Sequence, residues 1–254
     1  MIPLGIVSDE ISRDFREAVR VGTSLGIRRY EIRNLTAGRA PMCGDEAMLE
    51  VERIAQGEGV EITVLSPGLF KFTQDEPAFR YEMTEVLPRA IEWAHRWNLP
   101  GLIVFGFHKP AVPQIAGWLA EASANITLMV EPEPICCCDT GRATVSLIQG
   151  LPNIRINYDP GNVAWLTNRD PIDEFEIVAP YIANVHIKDI REVTDPPEWV
   201  PAGEGIIDYA RHFEMLRQIG YSGPISLEPH MDFTIESTRR CKEAVERLWG
   251  KEDL

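Results

Sequence analysis

Four residues far apart in the chain, Glu131, Asp159, His186 and Glu228, share one local setting. Each lies towards the C-terminal end of a short run in which apolar and polar residues alternate. ITLMVE sets Ile126, Leu128 and Val130 out of phase with Glu131. IRINYD sets Ile154, Ile156 and Tyr158 against Arg155, Asn157 and Asp159. IANVHIKD sets Ala183, Val185 and Ile187 against Asn184, His186 and Lys188. ISLEPH sets Ile225 and Leu227 against Ser226, Glu228 and His230. Side chains alternate across a strand, so each run has one greasy face and one polar face. Three carboxylates and one imidazole form an oxygen-rich donor set. It suits one divalent ion, Mn, Mg or Co by preference, with Zn also admissible, and it is unlike a closed Cys-rich structural zinc site.

For these residues to meet, their strands must lie side by side and end at one rim. The chain supplies such a scaffold. Strands are expected near Leu4–Ser8 and in RRYEIRN, EITVLS and LIVFGFH, ahead of the four runs above. Helices are expected around 14–25, 45–56, 77–97 (with Pro88 a kink), 112–124, 140–149, 171–179, 208–219 and 235–249. Eight βα units without a linker predict an α/β fold, a single (β/α)8 TIM barrel spanning 1–254. In such a barrel one strand face packs on the helices and the other enters the interior, and active sites sit at the C-terminal rim. Polar groups there weaken the core but serve chemistry.

Composition agrees with this reading. A chain of 254 residues with 44% hydrophobic residues can bury a large core. A formal charge of −14 disfavours broad binding to a nucleic-acid backbone, so no nucleic-acid partner is expected. No apolar stretch approaches the length of a membrane span. MIPLGIVSDEIS lacks the basic segment and apolar core of a secretory signal, and a cytoplasmic location is expected. The run Cys136–Cys138 lacks paired CxxC spacing and is read as reduced thiols in a βα loop or helix start. A homo-oligomer is left open.

Other residues can reach the same rim. Lys188 and His230 share the polar faces of the seventh and eighth strands, and Glu31 and Arg33 that of the second. His108 follows the fourth strand and Arg191 the seventh. All six are substrate-binding candidates. The bland readings are an ion pair of Lys188 with Asp189 or Glu204, a supporting role for His230, a buried Glu31–Arg33 pair and a solvent-facing Arg191. Phe70, Lys71, Trp165 and Trp199 are candidates for loop walls or lids. The segments 67–72 and 195–205 follow barrel strands and should border the mouth.

In order along the chain, MVEPEP, NYDPGN, NVHIKD, GEGIIDY and GYSGPISLEPH give a sequence that resembles the xylose isomerase-like TIM-barrel superfamily of sugar and sugar phosphate isomerases and epimerases. The resemblance covers essentially the whole chain. It implies that the metal ligands are Glu131, Asp159, His186 and Glu228. It also implies that Glu131 and Glu228 serve as acid and base, with proton transfer beside a carbonyl through an enediolate. Two positions depart from the free-ketose epimerases of the family: Asn162 stands where they have a substrate-contacting His, and Glu192 stands at the offset of their Arg. HIKD and GEGIIDY also resemble the inositol-catabolism isomerases and dehydratases. The expected substrate is therefore a small polyhydroxylated carbonyl compound, with or without a phosphate.

Three alternatives have different signatures. A metal-dependent dehydratase would expel a hydroxyl and change the product's mass. A noncatalytic carbohydrate-binding barrel would show no turnover. A DNA-repair endonuclease would need a richer multi-metal ligand set and a less acidic surface.

Overall fold

A computed structural model describes residues 4–250; the ends of the expected 1–254 unit, 1–3 and 251–254, lie outside the described residues. Eight parallel strands close a barrel, and we number them along the chain: β1 (Leu4–Val7), β2 (Arg29–Ile32), β3 (Glu61–Leu65), β4 (Leu102–Phe105), β5 (Leu128–Glu131), β6 (Ile154–Tyr158), β7 (Ile182–Ile187) and β8 (Ile225–Leu227). Each strand pairs with its neighbour in sequence, and β8 returns to β1 through Leu4–Ile225 and Ile6–Leu227. This is the expected TIM barrel.

The alternation read from sequence sorts the strand faces. Tyr30, Ile32, Leu128, Val130, Ile154, Ile156, Ile225 and Leu227 pack outward into the strand–helix core. Val64, Ile103 and Met129 form a separate apolar cluster inside the barrel. Glu31, Glu131, Asn157, His186, Ser226 and Glu228 are also buried, on the opposite phase of their strands from the outward-packing residues. The helices cover the outer face, as in Phe15–Ser24, which Asp14 caps by accepting from the backbone of Arg16 and Glu17. Among the described residues no helix is long and apolar enough to cross a membrane.

Several elements differ from expectation. The 77–97 helix is divided by a π-helical turn, Glu82–Val86, before Leu87–Arg96. Pro88 lacks an N–H, and the wider turn accommodates the missing bond. The 171–179 helix is three short pieces, Ile172–Glu174, Phe175–Val178 and Ala179–Tyr181. A further helix, Pro160–Thr167, follows β6 directly; buried from Pro160 to Ala164, it has no polar stripe to announce it. The expected loop after β7 contains a hairpin pairing Asp189–Glu192 with Glu198–Val200. A smaller hairpin, Asn34–Leu35 with Gly38–Arg39, follows β2.

The fourth strand ends at Phe105, short of the expected His108, because Phe107 turns into the left-handed region at φ 63°. The cysteine run lies in the β5 loop, and all five cysteines are unpaired. Burial pushes the Cys138 thiol up to about 12, so it behaves as a small packed group.

Candidate metal and acid–base centre

Glu131 closes β5, and Asp159 immediately follows β6 as the N-cap of Pro160–Thr167. Asp159 Oδ1 accepts from the Asn162 backbone at 3.0 Å. The other oxygen, Oδ2, is buried without a hydrogen bond of good geometry; its nearest cation is Lys188 Nζ at 2.6 Å. His186 lies in β7, and Glu228 follows β8, fixed by its backbone N–H donating to Ile187 O at 3.0 Å. One donor atom from each of these four residues lies within 4.8 Å of the others, and all four are buried. Small side-chain shifts bring that spread within reach of one ion with ligand bonds of about 2.0–2.2 Å. The oxygen-rich set, with an Asp159 oxygen held by nothing but its ion pair to Lys188, fits a divalent cation.

The imidazole is held from both sides. His186 Nε2 donates to Glu31 Oε2 at 2.9 Å, so Nδ1 faces the cluster, 3.0 Å from Glu228 Oε2. A carboxylate behind a ligating histidine fixes its ring and tautomer. Glu31 is thus placed behind His186 and does not line the cavity. Asn157 Nδ2 donates to Glu131 Oε2 at 3.0 Å and lies 3.2 Å from His186 Nδ1. Asn162 Nδ2 donates to Glu131 Oε1 at 3.0 Å and to Pro132 O at 2.9 Å. Both asparagines therefore orient Glu131.

The electrostatics separate the two glutamates. Burial, with Glu228 nearby, pushes Glu131 up to about 7. Burial acts the same way on Glu228, but Lys188 and His186 outweigh it and hold its carboxyl well below the usual carboxylate range. Burial would lower His186, yet Glu31 and Glu228 hold it well above its ordinary value. For Lys188, burial is likewise outweighed by Asp159 and Glu228, which hold the ammonium charged.

A cavity of about 320 Å³ opens over the cluster. Arg33, Lys188 and His230 line it, together with Arg39, Lys71, Glu133, Asn162, Trp165 and Trp199. Arg33 is paired with Asp9, Glu10 and Glu228, not with Glu31 as a sequence neighbour could suggest. Lys188 pairs with Asp159 and Glu228 and with neither Asp189 nor Glu204. His230 sits at φ 53°, its backbone N–H and Nδ1 both on the Glu10 carboxylate at 2.8 and 2.9 Å. Trp199 stands edge-on to Trp165 and to His230, with centroids 6.0 and 5.6 Å apart.

Besides Glu31, two further candidates fall outside this lining. His108 is turned to Gln74 and to its neighbour's carbonyl, Lys109 O, each at 2.7 Å. Arg191 is half exposed and paired with Glu198 and Glu204 on the hairpin. Phe70, a candidate wall residue, is a core residue stacked on Phe107 at 4.7 Å. Conversely, Glu10, Arg39, Asn157 and Asn162 carry structure at the rim that sequence reasoning did not assign. Asn157 sat on a recognised polar face, and Glu10 follows the end of β1. Arg39 arrives on a hairpin without a periodic signal.

The family model for the xylose isomerase-like TIM barrel matches residues 23–249. The L-ribulose-5-phosphate 3-epimerase UlaE of Salmonella paratyphi A is 39% identical over 252 residues, 89% of this chain and 87% of that protein. The enzyme of the same name from Salmonella typhimurium is 23% identical over the same length. These identities differ for like-named enzymes, and membership rests instead on the match across 23–249. A putative L-ribulose-5-phosphate 3-epimerase UlaE of Shigella dysenteriae is 24% identical over 63% of this chain, and the match spans 60% of that protein's length. Among solved structures, the IOLI protein with a bound zinc atom superimposes with a TM-score of 0.81 at 18% identity, covering 98% of each chain. The probable 3-DHS dehydratase AsbF of Bacillus anthracis gives 0.77 at 18%, over 97% of this chain and 99% of its own. By its closed barrel and by the family match over nearly its whole length, the chain belongs to the xylose isomerase-like TIM barrel family.

Proposed function

We propose that the protein is a divalent-metal-dependent epimerase or isomerase of a small sugar or sugar phosphate. The observation that carries this reading is the buried cluster of Glu131, Asp159, His186 and Glu228 beneath an open cavity, with its two glutamates driven to opposite protonation preferences. Pairs of carboxyls pushed apart in this way serve as acid and base. The epimerase names of the relatives agree with it.

Glu228, held ionised, takes a proton from the carbon beside the substrate carbonyl. Glu131, recharged with a proton from solvent, returns one, and Asn157 and Asn162 keep its carboxyl aimed. Lys188 supplies a fixed positive charge beside Glu228 that moderates charge build-up as the proton moves. A divalent ion, when bound, supplies Lewis-acid polarisation of the carbonyl and stabilises enediolate charge. Trp165 and Trp199 wall the cavity and keep water from the reacting carbon.

The test is a panel of ketoses, aldoses and their phosphates incubated with metal-loaded protein in heavy water. Deuterium entering at the carbon beside the carbonyl, with product mass otherwise unchanged, is the expected result. Loss of water from the product would assign a dehydratase instead. No incorporation across the panel would remove the isomerase reading.

A further inference from the structure

We propose that Arg39 is the anion-recognising residue of this cavity and takes the phosphate of a sugar phosphate substrate. The proposal rests on reading the cavity as a sugar-converting site and deepens that reading. Four Arg or Lys cations line the cavity: Arg33, Arg39, Lys71 and Lys188. Three are already neutralised. Arg33 is paired with Asp9, Glu10 and Glu228, Lys188 with Asp159 and Glu228, and Lys71 with Glu133 at 2.7 Å. Among the described residues, Arg39 has no carboxylate within ion-pair distance.

Its guanidinium is nevertheless held. Arg39 Nε donates to Ser66 O at 3.0 Å and Nη2 donates to Ser66 Oγ at 3.1 Å. Among the described residues, these two bonds leave Nη1 and the second Nη2 hydrogen without a protein acceptor. Gly68, at φ 82°, lies against the same group: a Cβ there would come within 3.1 Å of the guanidinium carbon. Burial, with Arg33 alongside, pushes Arg39 down to about 10, so its charge is kept against a cost that a bound anion relieves. A positioned guanidinium with free N–H groups matches the paired oxygens of a phosphate or a carboxylate. The lining also carries Glu131, Glu133 and Glu228, so an incoming anion meets repulsion. A phosphate presents three acceptor oxygens to the unused N–H groups where a carboxylate presents two, and phosphate is the group assigned.

The experiment compares metal-loaded wild type with Arg39→Gln by calorimetric binding of ribitol 5-phosphate, ribonate and ribitol. None has a ketone or aldehyde to react, so binding is read apart from turnover. The expected result is a wild-type preference for ribitol 5-phosphate over ribitol of at least about tenfold. Arg39→Gln should lower affinity for ribitol 5-phosphate on the order of 10- to 100-fold, with a far smaller effect on ribitol. Arg39→Lys keeps charge but not the fork, and should lose several-fold of the preference; it serves as the readout if the Gln variant does not fold. A preference left intact in both variants, or equal losses for ribitol and its phosphate, would overturn the assignment. So would tighter wild-type binding of ribonate than of ribitol 5-phosphate. If the preference depends on Arg39 while no ketose or aldose exchanges deuterium, the anion subsite stands and the isomerase reading falls.

Discussion

Lys188 Nζ lies 2.5 Å from Glu228 Oε2, with the two side chains only 1% and 4% exposed. The same ammonium is 2.6 Å from Asp159 Oδ2, so one lysine balances two of the carboxylates that would hold an ion. Removing one partner of a buried pair leaves uncompensated charge and costs on the order of 3–5 kcal/mol. Lys188→Met should therefore lower the thermal midpoint in chelator, and added Mn²⁺ should restore more stability to it than to wild type. A variant as stable as wild type in chelator would show that the lysine does not perform this balancing.

Glu131→Gln and Glu228→Gln should each depress solvent-deuterium exchange at the reacting carbon on the order of 10²- to 10⁴-fold, the usual scale of acid–base help. Substrate affinity should fall much less. Because glutamine is also a poorer ligand, metal content must be measured in each variant. Full metal occupancy with near-normal exchange in both would mean that neither glutamate moves the proton.

Metal loading should release protons. His186 is held well above its ordinary value, and Glu131 is pushed up to about 7, so both carry protons at neutral pH that an ion must displace. The sign follows directly: affinity for Mn²⁺ rises with pH and weakens further as pH falls through about 7. Calorimetry in buffers of different ionisation enthalpy reads the released protons. Equal apparent enthalpies in all buffers would contradict the shifts.

Among the described residues, Glu31 supports the centre through His186. Glu31→Gln should weaken metal affinity by roughly 10- to 100-fold, the usual effect of losing such a partner. Competition with a chelator of known affinity gives the number, and an unchanged value would leave Glu31 a packing residue.

Behind β6, Tyr158 Oη lies 2.7 Å from His212 Nδ1, and His212 Nε2 lies 2.7 Å from Asp170 Oδ1. Burial would raise Asp170, but its hydrogen bond to His212 outweighs this and lowers it. The folded value is below the unfolded one of about 3.9, so Asp170 contributes stability above pH ~4 that is lost as pH falls through the folded value. Asp170→Asn should cost about 1–3 kcal/mol at neutral pH and flatten the acid limb of the stability curve. Urea unfolding from pH 2 to 7 tests this; parallel curves for variant and wild type would refute it.

The barrel and its rim were legible because period-two alternation is local. Glu131, His186 and Glu228 each stand opposite the phase of their own strand's core residues, and that phase can be read from six residues. What was not legible was pairing over long sequence distances. Glu31 and His186 are 155 residues apart, and nothing near either names the other. Asn162 was visible only as a departure from a family pattern. Its work on Glu131 depends on a helix, Pro160–Thr167, whose burial erases the amphipathic signal. His108 is misplaced at the rim because the apolar run reads on to the residue after Phe107, where the chain turns.

Asp189 accepts backbone N–H bonds from Ile190, Gly203, Gly205 and Ile207 at 2.8–3.2 Å. One carboxylate therefore staples both ends of the 190–207 excursion, while the hairpin bearing Trp199 rises between them. At its tip, 193–197, the only side-chain bond among the described residues is local, from Thr194 Oγ1 to Pro196 O at 2.7 Å. For anyone redesigning the enzyme this divides the loop into a graftable crown and an untouchable base. Tip residues can be lengthened or exchanged to reshape the entrance, whereas replacing Asp189 would unpick the whole wall.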